Sequence, residues 1–345
     1  MTVNVTKPAL NIREKLAELD KPSGIAGEAM LRADSVQEQR NLIGAGRKNL
    51  IINGAFQVSQ RGDYTTATAS ANIYGLDRWR VDSNLSSSTM QQTSVDVPAI
   101  PVKSYAHKLV SSVSGTAYMG IRQRIEFPET YVGRVVTYSA YVRSNSSNTR
   151  LTCYVTGSAQ LETSAPHSGN GQWERLSVTY TVAAGPLIWF CDVFMSTSGV
   201  GSVSITTGDY FEATGVQLEL GSVATDFEHR SYGEELALCQ RYYWKTSTGG
   251  SYNYVTVMSC ASTTSANGAI QFPVTMRAAP TGSMSGNWQL AGAGAVNVTS
   301  SAFTNASASY TRITLNTASG LVGNAAFALR NYGDTSAYLA FDAEL

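Results

Sequence analysis

The chain has 345 residues, 43% hydrophobic and only 14% charged, and its 25 Lys and Arg balance 25 Asp and Glu. That length allows one or two cores, since domains usually run to about 100 to 200 residues each. Charge neutrality leaves no global field to draw the protein to nucleic acid or to an anionic membrane, and the sequence holds no apolar run of the ~18 residues that a membrane span needs.

The low charge is offset by abundant Ser, Thr, Asn, Ala and Gly, so the polar surface is built from hydroxyl and amide groups. That composition suits durable β-structure. The opening MTVNVTKPALNIREK lacks the basic-then-apolar order of a secretory leader, so synthesis in a cytoplasm and a soluble product are expected. Cys153, Cys191, Cys239 and Cys260 are widely spaced with no CxxC pair, and are read as buried thiols.

In chain order, residues 1–46 differ from everything after them. Ile12, Leu16 and Leu19 recur at helical spacing among Arg13, Glu14, Lys15 and Glu18, before Lys21-Pro22-Ser23-Gly24 breaks the pattern. A second helical stretch spans 26–42, with Met30 and Leu31 among its apolar points, and Gly44-Ala45-Gly46 ends it. Isolated helices this short are marginal in water, so the segment is expected to order by docking on another protein.

From Lys48 the pattern turns to period-2 strands between turn residues. Leu50-Ile51-Ile52, Asn53-Gly54 and Ala55-Phe56-Gln57-Val58 read as extended runs about a tight turn. Strands are expected at 119–127, 135–143, 150–155, 174–182, 187–194, 203–207 and 210–220, roughly the eight that a jelly-roll sandwich over 47–231 needs. In 216–220, Val216, Leu218 and Leu220 alternate with Gln217 and Glu219, so one face meets a core. YGEELALCQRYYW at 232–244 has helical spacing, and an Ala/Gly/Ser-rich β-pattern then runs to Leu345. The expected architecture is all-β: a jelly-roll sandwich followed by a smaller β-sandwich, with a short, partly helical N-terminal anchor. The small, uncharged side chains of the last part suit packing against identical copies.

Three segments resemble those of tailed-phage tail-fibre and related virion proteins. They are KPALNIREKLAELDKPSGIAGEAMLRADSVQEQRNLIGAGRKN; NLIINGAFQVSQRG with YGLDRWRV; and GDYFEATGVQLELGSVATDFEHRSYGEELALCQRYYWK. Together they cover about a third of the chain, and GQWERLSVTYTV between them is similar to a further strand of the same module. The resemblance implies a carbohydrate-binding-module-like (galactose-binding-like) jelly roll in a virion. It implies attachment to other tail proteins through Ile12, Leu16, Leu19, Met30 and Leu31, a homotrimer, and a host surface polysaccharide or lipopolysaccharide as ligand. Two alternatives stay open: a capsid, neck or baseplate decoration protein without receptor binding, and a polysaccharide depolymerase subunit.

The chemistry read from the residues is binding, not catalysis. His107, His167 and His229 stand in no motif, there is no GxSxG, and Asp77, Asp82, Asp192 and Asp209 fall at strand ends or turns where Asp hydrogen-bonds backbone. Sugar C–H faces stack on aromatic rings while amides and carboxylates take the hydroxyls. Trp79 and Trp189 are flanked by apolar strand residues and are assigned to the core. Tyr74 and Trp173 lie in turn-rich surroundings and are the candidate sugar-stacking rings, with Asn72 and Asp77 as polar partners. No cofactor is expected; a structural calcium, which such jelly rolls often carry, would have to draw on Asn53, Asp77 or Glu212, without any DxDxDG-like loop.

Overall fold

The computed structural model describes residues 48–62, 67–68, 73–97, 100, 104–156, 160–184, 188–197, 201–246, 249–292 and 294–345. The expected anchor residues Ile12, Leu16, Leu19, Met30 and Leu31 lie outside the described residues, as does Asn72.

The first strands are β1 (Ala67–Thr68), β2 (Ile73–Tyr74), β3 (Arg80–Ser83), β4 (Ser88–Val95), β5 (Ser104–Ser111), β6 (Gly115–Ala117) and β7 (Met119–Ile125). Then come β8 (Val135–Ser144), β9 (Thr149–Val155), β10 (Gln160–Thr163), β11 (Trp173–Thr181), β12 (Trp189–Met195), β13 (Val203–Ile205) and β14 (Tyr210–Leu220). They form two six-stranded sheets, ordered β1-β4-β5-β14-β8-β11 and β10-β9-β12-β7-β3-β2, each antiparallel throughout, with β13-β6 as a small third sheet. Alternation explains the sandwich: Val136, Tyr138, Ala140 and Val142 of β8 face inward against Ile121, Leu151 and Val193 of the opposite sheet. Trp79 and Trp189 are fully buried, and both indole N–H groups are satisfied, by the Asn53 carbonyl at 3.0 Å and the Tyr180 hydroxyl at 2.6 Å.

The Asn53-Gly54 signal marks a turn, but its flanks are not strands. Residues 49–58 instead close one end of the sandwich: Ile51 and Phe56 enter the core, and Leu50 N–H donates to the Leu218 carbonyl at 2.8 Å. Asn49 and Gln123 take up the backbone groups a strand partner would have satisfied; Gln123 binds Ile52 N at 2.8 Å and Ile52 O at 2.7 Å. Asn53, not Gly54, adopts the left-handed conformation, with φ 58°. Gly54 is needed for close approach, since a Cβ there would lie 2.1 Å from the Val216 carbonyl oxygen.

Helix α1 (Tyr232–Gln240) follows, opened by a capping box in which Ser231 and Glu234 bond each other's backbone N–H. Beyond it lie β15 (Tyr243–Lys245), β16 (Tyr254–Cys260), β17 (Ser265–Gln271), β18 (Thr281–Ser285), β19 (Trp288–Ala291), β20 (Ala295–Thr304), β21 (Tyr310–Thr317), β22 (Ala326–Asn331) and β23 (Tyr338–Asp342). The larger sheet of this distal unit closes on itself as a barrel, β16-β17-β21-β20-β19-β22, and β15-β23-β18 packs against it over Leu290, Phe327, Leu339 and Phe341.

All four cysteines are buried and free, and Cys153 and Cys191 face each other in register with sulfurs 3.8 Å apart. Between β14 and α1, Glu228 ties the ends of the jelly roll together, accepting from the backbone N–H of Lys48 and Asn49.

Candidate functional site

The two candidate sugar-stacking rings do not converge. Tyr74 and Asp77 lie in the seam between the two units. The Tyr74 hydroxyl donates to the Leu345 backbone oxygen at 3.0 Å, and Arg61 lies 5.2 Å over its ring. Asp77 is fully buried, accepting from Arg61 at 3.1 Å and from Gln60 N–H at 2.9 Å, and burial pushes its carboxyl up to about 6 against the pull of Arg61. Arg61 also reaches Asp342 and Glu344 and stacks 3.6 Å over Tyr243, while Arg78 binds Glu344 and stacks 3.6 Å over Tyr242. These residues clasp the distal unit onto the jelly roll and leave Asp77 no open face toward a ligand.

Trp173 is different. It opens β11 on the outer face of the first sheet, opposite Arg143 of β8; Arg143 is opposite Glu212 of β14, Glu212 opposite Lys108 of β5, and Lys108 opposite Gln91 of β4. Five strands therefore set Gln91, Lys108, Glu212, Arg143 and Trp173 in one row. The Glu212 carboxylate is 2% exposed and takes Lys108 at 3.1 Å on one oxygen and Arg143 on the other. Held from below in this way, the two cations keep 27% and 34% side-chain exposure. Each also meets a ring: Arg143 lies 5.0 Å over Trp173, and Lys108 5.0 Å over Tyr210. One row further along β8, Tyr141 sits opposite Arg175, whose guanidinium is 5.5 Å over the ring.

Beside the row, the central strands of that face are covered. Gly215, at φ 58° in a β-bulge, lets Ile100 close in beside Tyr141, where a Cβ would meet Ile100 Cδ1 at 2.7 Å. Residues 225–228 cap Gln217 and Glu219 through bonds from Thr225 and Glu228 N–H. The row and its neighbours form a cationic trough with rings at 141, 173 and 210, able to stack sugar rings and donate to hydroxyls or carboxylates.

The side chains weighed as calcium ligands are otherwise engaged: the Asn53 amide bonds Val58 N–H, Val58 O and Asp77 O, Asp77 holds Arg61, and Glu212 holds Lys108 and Arg143. This donor set does not fit a cation. Among the described residues, no group of three or more His, Cys, Asp and Glu is placed to hold a metal.

Solved structures that are similar to part of this chain include carbohydrate-binding modules. One is TmCBM61 in complex with β-1,4-galactotriose, at 12% identity and TM-score 0.33 over 51% of this chain and all of that one. Another is the CBM22-1 xylan-binding domain of Paenibacillus barcinonensis Xyn10C, at 11% identity and TM-score 0.29 over 47% and 97%. The enzymatically active domain of tailspike protein 4 from bacteriophage CBA120 also matches, at 16% identity and TM-score 0.31 over 50% of this chain and 21% of that one. No family model matches the sequence, and neither does any curated protein.

Proposed function

We propose that the chain is a non-catalytic, glycan-binding protein of tail-fibre type in a phage particle. In this reading residues 1–46 hold it to other tail proteins, it assembles as a homotrimer, and its jelly roll engages a bacterial surface polysaccharide or lipopolysaccharide. The observation that carries the binding reading is the Trp173–Arg143–Glu212–Lys108 row, where a buried carboxylate fixes two exposed cations beside aromatic rings. The phage assignment rests on the three sequence segments that resemble tail-fibre proteins. The non-catalytic reading rests on the buried acids being neutralised by cations: Asp77 by Arg61, Asp192 by Arg122 and Glu212 by Lys108 and Arg143. Hydrolysis of a glycosidic bond needs two carboxyl groups facing the substrate.

The test is an array of bacterial capsular and O-antigen polysaccharides probed with the full chain. Trp173→Ala is expected to weaken the best binder by about tenfold, or ~1.4 kcal/mol. Its thermal midpoint should move by less than about 2 °C, because the ring is half-exposed. Reducing ends released from that polysaccharide should stay at the blank level. Unchanged binding by Trp173→Ala removes the trough from the site, and release above blank makes the chain an enzyme.

A further inference from the structure

The distal barrel carries a second row of this kind. Tyr254, Arg330, Gln289 and Asn297 stand in register on the outside of β16, β22, β19 and β20. Their side chains join head to tail: Arg330 donates to the Tyr254 hydroxyl at 3.4 Å and to Gln289 Oε1 at 2.9 Å, and Gln289 Nε2 donates to Asn297 Oδ1 at 3.0 Å. Arg330 also lies 4.9 Å over the ring of Tyr252, which meets Tyr332 edge-on at 5.9 Å.

These rings face solvent. Tyr254, Tyr252 and Tyr332 are 62%, 46% and 45% exposed, so core packing does not account for them. Yet their loops are fixed. Asn331 is fully buried, donates to the Gly250 and Asp334 carbonyls and accepts from Asn253 N–H, and so locks together the turns bearing Tyr252 and Tyr332. Tyr252 itself sits at φ 65°, a left-handed conformation that is strained for an aromatic residue and that clusters at ligand sites. Arg330 bonds neutral groups, and among the described residues no carboxylate is paired with it.

We propose that this row is a separate saccharide site that selects a sugar bearing a carboxylate. The sugar's C–H face stacks on the tyrosines, the guanidinium fork takes the carboxylate, and exposed Asn297 meets a hydroxyl, while buried Gln289 holds Arg330 and Asn297 in place. A fixed frame lowers the ordering cost of binding, which is what the strained Tyr252 backbone maintains.

The test compares retention of the full chain on an immobilised uronate-containing bacterial polysaccharide and on the same polysaccharide after its carboxyls are reduced to alcohols. The native form should bind at least tenfold more tightly, and Arg330→Gln should level the two. Tyr252→Asn, whose side chain suits left-handed backbone, should keep or raise the thermal midpoint and still weaken retention on the native form by at least tenfold. Trp173→Ala should preserve the preference for the carboxylate, which separates this site from the jelly-roll trough. Equal retention of both forms, no retention of the native form, or wild-type retention by Tyr252→Asn overturns the proposal. A changed oligomeric state in Tyr252→Asn also overturns it, assigning the rings to a contact between copies.

Discussion

His107 shows what a single residue contributes in this core. It lies on β5, fully buried against Phe56, with ring centroids 5.6 Å apart and both ring nitrogens lacking a well-formed hydrogen bond. Burial pushes it down to about 3, with only the Lys108 backbone pulling the other way. Its folded value lies below its unfolded value of ~6.5, so the unfolded chain binds the proton first and stability falls as pH drops from about 6.5 toward 3. Asp77 and Asp192 act in the opposite sense: burial raises both to about 6, so the folded state takes up their protons first. The variant difference isolates the histidine. His107→Leu should be more stable at neutral pH by ~1 kcal/mol, because no unpaired polar ring is buried. It should also be spared about 5 kcal/mol of the stability that the wild type loses between pH 6.5 and 3, followed by thermal midpoint against pH. Parallel acid limbs for variant and wild type would show that His107 is not the group titrating.

At the scale of elements, helix α1 is where local sequence signals and tertiary role agree. Its capping box satisfies N-terminal N–H groups, and Glu235 just inside it bonds the Asn53 N–H at 2.5 Å, so the helix also anchors the segment that closes the jelly roll. Cys239 and Tyr242 then pack on Ile52 and Val58. Ser231→Ala should cost about 1 kcal/mol, read as a shift of the denaturant midpoint at constant slope; no shift would mean that packing alone holds the helix.

Strands with clean alternation, such as β8 and β14, were legible from sequence because their inner residues are apolar and their outer ones polar. Strand β4, STMQQTSV at 88–95, was not: Met90 is its one fully buried apolar side chain, and Ser, Thr and Gln occupy both faces. The site divided in the same way. Trp173 was visible as a ring among turn residues, but its partners Arg143, Glu212 and Lys108 come from strands 30 or more positions apart, and only the register of β5, β14, β8 and β11 brings them together. The seam role of Tyr74 and Asp77 was invisible for a related reason: Tyr74 bonds Leu345, and Asp77 is tied to Asp342 and Glu344 only through Arg61, so the link spans most of the chain.

For the whole molecule, the seam decides whether the two cores behave as one. Arg61 and Arg78 are almost wholly enclosed between Asp77, Asp342, Glu344 and the rings of Tyr242 and Tyr243. Removing one member of such a group leaves a buried charge uncompensated, at a cost of about 3 to 5 kcal/mol. Arg78→Ala is therefore expected to turn a single calorimetric transition into two, one for each unit; a single transition at the wild-type midpoint would show that the seam adds no coupling. A rigid link of this kind would let a trough on the jelly roll and a row on the barrel act on one surface together, multiplying weak contacts without new ones.

The binding claim is tested most directly by hydroxyl-radical footprinting of the full chain with and without the best-binding bacterial polysaccharide. The account predicts that the polysaccharide protects the side chains of Trp173, Tyr141 and Tyr210 from oxidation while buried Trp79 and Trp189 stay unreactive in both states. Protection that bypasses all three of those rings, or none at all under saturating polysaccharide, would contradict it.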